Sequence, residues 1–109
     1  MKEANPTIAD HLAGMAKIGV ERLREQDAEL YGMLEREVAR QSETLAMVAA
    51  SSIADPSVLA CAGSAALNVT TEGYPGARFH AGCEVVDQIE RLAIERAKAA
   101  FGARYANVQ

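Results

Sequence analysis

The stretch NVTTEGYPGARFHAG, Asn68–Gly82, interrupts a chain otherwise rich in alanine, leucine and glutamate. Three glycines, Gly73, Gly76 and Gly82, with Pro75 between the first two, fall too close together for a helix. The apolar residues do not alternate as those of a strand would. The reading is an ordered loop that carries Glu72, Tyr74, Arg78 and His80. Loops held on a rigid scaffold are where binding and catalytic groups concentrate, so the flanking sequence is read as that scaffold.

Downstream, Val85, Ile89, Leu92, Ala93 and Ala97 recur at helical spacing and predict a long helix, with Gly102 as its left-handed terminator. YANVQ, Tyr105–Gln109, then reads as the beginning of a strand whose partners lie outside the chain. Its backbone groups are left unaccounted for, so the chain looks like the leading piece of a larger fold. Upstream, Asp55 and Pro56 form a helix start, carboxylate cap followed by proline, for a helix running to about Leu67. Ala60, Ala62, Ala65 and Ala66 would let another backbone approach that helix closely. Before it, Leu30, Leu34, Val38, Gln41, Leu45 and Val48 form an amphipathic stripe, with Asp27 as the cap and Glu35, Arg36, Arg40 and Glu43 on other faces. Ile8, Leu12, Met15, Ile18 and Leu23 suggest a first helix, weakened by Gly14 and Gly19.

A chain of 109 residues is the size of one small domain. Half of it is hydrophobic, but much of that is alanine, and with no tryptophan a large, dense core is not expected. A net charge of -4 with both signs interspersed lacks the clustered basic face of a nucleic-acid binder. No segment approaches the ~20 apolar residues that span a bilayer. The amino end, with Lys2, Glu3 and Asp10, lacks the apolar centre of a secretory signal, so the expectation is a soluble cytoplasmic protein. Cys61 and Cys83 read as reduced thiols.

Single residues carry competing readings. His80 and Cys83, assisted by Glu84 or Cys61, are spaced for metal ligation, but a structural zinc site needs four placed ligands and no second Cys/His pair is present, so no metal is expected. Cys83 is then a small buried apolar group. Arg78 suits either a phosphate or carboxylate ligand or a structural salt bridge. Tyr74 reads as packing the turn, and Glu72, on spacing alone, as a solvated carboxylate.

The segment resembles serine hydroxymethyltransferase, a pyridoxal-phosphate (PLP) enzyme of the aspartate-aminotransferase-like fold. The family pattern Asn-Lys-Tyr-Ala-Glu-Gly-Tyr-Pro-Gly stands here as Asn68-Val69-Thr70-Thr71-Glu72-Gly73-Tyr74-Pro75-Gly76. It continues as Arg78-Phe79-His80-Ala81-Gly82-Cys83-Glu84 where the family has Arg-Tyr-Tyr-Gly-Gly-Cys-Glu. The likeness runs from about Asp27 and is strongest after Pro56. It implies that this mainly α chain with ordered loops is the leading part of an α/β fold type I PLP enzyme. Residues 1–26 would be an amino-terminal extension, and 27–109 the amino-terminal arm and the start of the large PLP-binding domain.

The resemblance also implies roles. The loop would enter the active site of a neighbouring subunit in a homo-oligomer, with Glu72 transferring protons near the substrate hydroxymethyl group and tetrahydrofolate. Thr70 stands where a family tyrosine reaches the cofactor region, and His80 where a tyrosine lies near the substrate carboxylate. Thr70 is smaller than tyrosine and leaves space beside the substrate α-carbon, a departure resembling the branch that acts on α-methylserine. At VAASS, Ala50 replaces a serine that contacts the substrate carboxylate and Ser51 replaces a glutamate; Ser51, Ser52 or water would make good the lost hydrogen bond, with Ser51 the candidate substrate contact. Lys2, Lys17 and Lys98 do not match the family's cofactor lysine, which lies far downstream in a threonine-rich motif. This chain alone is therefore expected to be inactive. Two functions are weighed. One is the leading part of a hydroxymethyltransferase interconverting serine and glycine, or α-methylserine and alanine. The other is a non-catalytic helical interaction module derived from that family, motivated by the Leu30–Val48 stripe.

Overall fold

The computed structural model describes the backbone of residues 8–109 and the side chains from residue 11 onward. Lys2 and Glu3 lie outside the described residues. The chain divides into two units, residues 1–64 and 65–109.

The first unit holds α1 (Ile8–Gln26), α2 (Ala28–Glu43) and α3 (Pro56–Ala62). Gly14 and Gly19 do not interrupt α1. A single residue joins α1 to α2: the Asp27 amide still donates to the Leu23 carbonyl at 2.9 Å, and its own carbonyl accepts from Tyr31. Its side chain caps the second helix, accepting from the Leu30 amide at 2.9 Å. The cap is the one read from sequence, but α2 stops at Glu43, and Thr44 is extended. Leu45 and Val48, assigned to its stripe, stand outside the helix and are 81% and 65% exposed. The Ser51 amide instead donates to the Val48 carbonyl, so a turn replaces the expected last helical turn.

Helix α3 begins as expected, with Pro56 in the first turn and the Asp55 carboxylate accepting from the Ser57 amide at 2.8 Å and its hydroxyl at 2.6 Å. It ends at Ala62 and not near Leu67, because Gly63 closes it with its amide on the Leu59 carbonyl. Ala65–Asn68 follow as a separate 3-10 turn. Ala60, Ala62, Ala65 and Ala66 are exposed.

In the second unit, β1 (Gly73–Tyr74) and β2 (Ala77–Arg78) pair antiparallel, Gly73 opposite Arg78 and Tyr74 opposite Ala77. Helix α4 (Glu84–Phe101) follows. The segment read as a pure loop therefore contains a minimal hairpin. Pro75 and Gly76 turn it in the order a type II turn requires, and Gly76 has φ +81°. Gly102 terminates α4 at φ +60° with its left-handed geometry, as expected. Tyr105–Gln109 pair with no other described segment, and a strand whose partners lie outside the chain would have no ladder here.

Of the periodic positions that predict α4, Ala93 and Ala97 are partly covered and the larger three are not. Val85, Ile89 and Leu92 are 68%, 50% and 50% exposed. The protected positions are Val86, Asp87, Glu90, Ala93, Ile94, Ala97 and Lys98, with Glu90 buried among them. Polar attachment of the hairpin has chosen this face over the more apolar one. Among the described residues Cys83 is the one buried hydrophobic side chain.

Two glycines separate turn strain from crowding. Gly102→Ala places a side chain at positive φ in open space and should cost about 1 kcal/mol. Gly73→Ala, at φ +111°, would also drive its Cβ into the Ala77 carbonyl oxygen across the ladder. Urea unfolding of the two variants should show the larger midpoint loss for Gly73→Ala; equal losses would contradict the hairpin geometry.

Candidate functional site

The loop from Thr70 to Cys83 is fastened to the start of α4 by one cation and two carboxylates. Arg78 Nε donates to Asp87 Oδ1 at 2.8 Å, and its Nη2 lies 2.8 Å from Glu90 Oε2. The second contact is off the axis of a good hydrogen bond and acts chiefly through charge. Asp87 and Glu90 sit three residues apart on α4, hence on the same face. The three side chains are 6%, 13% and 11% exposed, so the ions attract each other with little solvent screening. Asp87 Oδ2 also accepts from the Gly76 amide at 2.9 Å, tying down the turn itself. Asp87 lies in the first turn of α4, where the helix dipole favours its negative charge, and Arg91 stands 4.0 Å from it.

Arg78 reaches back as well. Its Nη1 donates to the Thr71 carbonyl at 2.7 Å and to the Gly73 carbonyl at 3.2 Å, the two residues flanking Glu72. The Phe79 amide donates to the carbonyl of Glu72 itself at 3.1 Å. At the other end of the loop the buried Cys83 thiol donates to the Thr70 carbonyl at 3.4 Å and to that of His80 at 3.5 Å. The small, buried Cys83 of the sequence reading is confirmed, and both cysteines are free thiols.

With its backbone held in this way, the loop presents its polar tips outward. Glu72 and His80 are 67% and 52% exposed, with His80 Nε2 3.7 Å from Glu72 Oε2. That separation is too long for a hydrogen bond but short enough for both groups to face one small ligand. Thr70 is exposed beside them in sequence. Tyr74, read as packing the turn, is 55% exposed and does not pack it. Ser51 belongs to the other unit, in the turn after Val48, where with Arg40, Gln41 and Met47 it lines a recess of about 470 Å³. Among the described residues no three of His, Cys, Asp and Glu gather as they would round a metal ion.

Residues 23–109 match the family model described as serine hydroxymethyltransferase. The chain belongs to the serine hydroxymethyltransferase family. It is 49% identical over 90 residues to the serine hydroxymethyltransferase of Endomicrobium trichonymphae, covering 83% of this chain and 22% of that protein. It is 48% identical over 87 residues to those of Helicobacter hepaticus and Yersinia pestis, covering 80% of this chain and 21% of each. The chain thus spans about a fifth of the length of the curated relatives it matches. No described helix is long and apolar enough to cross a membrane.

Serine hydroxymethyltransferase chemistry implies PLP, and the described residues do not by themselves form a site for it. Arg78, the buried cation beside a recess of only about 200 Å³, is already engaged by two carboxylates and cannot also neutralise a phosphate. Lys98 is paired with Glu95 at 2.7 Å, and Lys17 lies in the other unit. The loop makes no cradle for the cofactor among the described residues.

Sequence reasoning left Arg78 open between ligand and salt bridge; the structure shows the salt bridge. It overlooked Asp87 and Glu90 altogether. Their signal was an acidic pair at i, i+3 interrupting the covered stripe Val86, Glu90, Ala93, Ala97, where an unpaired carboxylate would be too costly to bury.

The triad predicts an acid sensitivity. The Arg78 guanidinium, and after it the Gly76 amide, hold Asp87 below its ordinary 3.8, while Glu90 and Asp87 push Arg78 up. A depressed carboxyl contributes its stability above the unfolded value and loses it as pH falls through the folded one, here in the acid window below the ordinary 3.8 of Asp87. Amide exchange at Gly76 should stay slow, after correction for intrinsic rates, down to that window and accelerate within it. Asp87→Asn should remove the step; a step that persists in Asp87→Asn would assign it to another group.

Proposed function

We propose that this chain supplies the Glu72 loop to a PLP-dependent hydroxymethyltransferase site whose cofactor is held by polypeptide beyond the described residues. The reaction is reversible transfer of a hydroxymethyl group between an amino acid and tetrahydrofolate. The observation that carries the reading is the presentation of Glu72: its backbone is held at three points while its carboxylate stays open and faces His80 at 3.7 Å. A carboxylate held in this way exchanges a proton with the substrate hydroxyl as the adjacent carbon–carbon bond is made or broken. His80 orients the substrate carboxylate through its ring N–H, and Thr70 leaves room beside the α-carbon. Ser51 is a second candidate contact to the amino acid. The setting proposed is a cytoplasmic homo-oligomer of fold type I, residues 27–109 forming its arm and the beginning of its large domain, with the loop given to the neighbouring subunit.

The substrate proposed is α-methylserine in preference to serine, because Thr70 and His80 replace two family tyrosines and the smaller Thr70 leaves volume for one methyl group. A methyl contact is worth roughly 1–3 kcal/mol, enough for a preference of about tenfold or more. The exposed stripes Leu30–Leu34–Val38 and Val85–Ile89–Leu92 motivate a second reading, a non-catalytic interaction module. A stable cofactor-free oligomer in sedimentation, together with no activity on reconstitution, would favour that module.

Reconstitution decides between them. Mixing the 109-residue chain with the unmatched remainder of the Endomicrobium trichonymphae relative should restore visible cofactor absorbance and cleavage of α-methylserine or serine. A folded pair without either would contradict the proposal. In the active pair, Glu72→Gln should lower kcat by about 10²–10⁴ with KM little changed. Thr70→Tyr should shift the kcat/KM ratio towards serine by about tenfold or more.

A further inference from the structure

The proton-transfer reading assigns work to Glu72 alone and leaves open what fixes so exposed a side chain. A carboxylate on a surface loop is free to wander unless its backbone is immobilised on both sides, and a positioning error of 1 Å is enough to impair proton transfer. The contacts of Arg78 bear directly on this. Its Nη1 donates to the carbonyls of Thr71 and Gly73, at 2.7 and 3.2 Å, the residues immediately before and after Glu72. Its Nε and Nη2 face Asp87 and Glu90, both on α4, at 2.8 Å each. One rigid, planar group therefore refers both peptide neighbours of Glu72 to the helix. The Phe79 amide, adjoining Arg78, completes the frame on the Glu72 carbonyl.

We propose that Arg78 is a positioning residue for Glu72: its guanidinium, oriented by Asp87 and Glu90, fixes the backbone on either side of the glutamate without touching its carboxylate. The catalytic consequence rests on the function proposed for Glu72; the structural part does not. A guanidinium suits the task where an ammonium does not. Its planar fork sends donors in three directions in one plane, whereas a lysine keeps the charge but has one nitrogen to share among two carboxylates and two carbonyls. Burial of the group, 6% exposed, keeps water from substituting for the carbonyl contacts. Gly73 helps by placing no Cβ between its own backbone and the opposite strand.

The test uses the full chain and two readouts. In Arg78→Lys, charge is retained, so the carboxylates stay compensated and α4 should persist. Amide exchange at Phe79 should accelerate at least tenfold, while amides from Leu92 to Lys98 change less than twofold. Unchanged exchange at Phe79 would overturn the proposal, as would equal acceleration in both segments, which would mean general unfolding. Arg78→Gln, which keeps a planar donor group but no charge, should protect Phe79 less than wild type and no better than Arg78→Lys; full protection would show the carboxylates to be irrelevant and overturn the triad's role. In the reconstituted enzyme, Arg78→Lys should lower kcat roughly ten- to a hundredfold with KM within about threefold, and the double variant with Glu72→Gln should be no slower than Glu72→Gln alone. If Glu72→Gln impairs turnover and Arg78→Lys does not, positioning is refuted. If Glu72→Gln is itself silent, the proposed function fails, and Phe79 exchange still decides whether Arg78 sets the loop.

Discussion

A single buried cation, Arg78, determines how residues 65–109 hold together. Enclosing an arginine is costly unless every side of it meets an opposite charge or an acceptor. Asp87 and Glu90 supply the charge, and the Thr71 and Gly73 carbonyls supply acceptors. Once that requirement is met, much follows. The hairpin is drawn onto α4, the turn at Pro75–Gly76 is tied to the same carboxylate, and the face of the helix bearing Glu90 is covered while the face bearing Val85, Ile89 and Leu92 is left open. The unit is organised by polar geometry, because among its side chains only Cys83 is a buried hydrophobic one.

This arrangement explains how a chain with so little buried apolar surface can present a defined glutamate. Hydrophobic burial is non-directional and would not by itself fix the path of residues 70–80. Hydrogen bonds to named carbonyls do, because each constrains distance and angle. The cost is vulnerability: removing one member of a buried ion group leaves the others uncompensated, which destabilises far more than loss of a surface pair such as Glu37–Arg40.

Much of the fold was legible in the residues. Asp27, Asp55–Pro56 and Gly102 act locally, through caps and a left-handed terminator, and local chemistry reads directly from sequence. Two helix ends were misjudged, at Leu45–Val48 and at Leu67, because apolar spacing continued past the point where an extended Thr44 and the closing Gly63 stopped the helix. The periodic stripe of α4 is covered at Ala93 and Ala97 and open at Val85, Ile89 and Leu92, because a non-local charge interaction at Glu90, which apolar spacing does not register, lies on the covered face. At the candidate site, the motif led to Glu72, Thr70 and His80 by resemblance, but Asp87 and Glu90 could be recognised only once Arg78 was seen between them.

The central claim is that Arg78 and Asp87 act as one unit, which a double-mutant cycle measures most directly. Urea midpoints would be compared for Arg78→Met, Asp87→Leu and the double variant. The account predicts that the double variant loses less than the sum of the two single losses, because either change already removes the Arg78–Asp87 contact, while Glu90 is left without its cation in Arg78→Met and in the double variant alike. Midpoint losses that simply add would show two independent residues and contradict it.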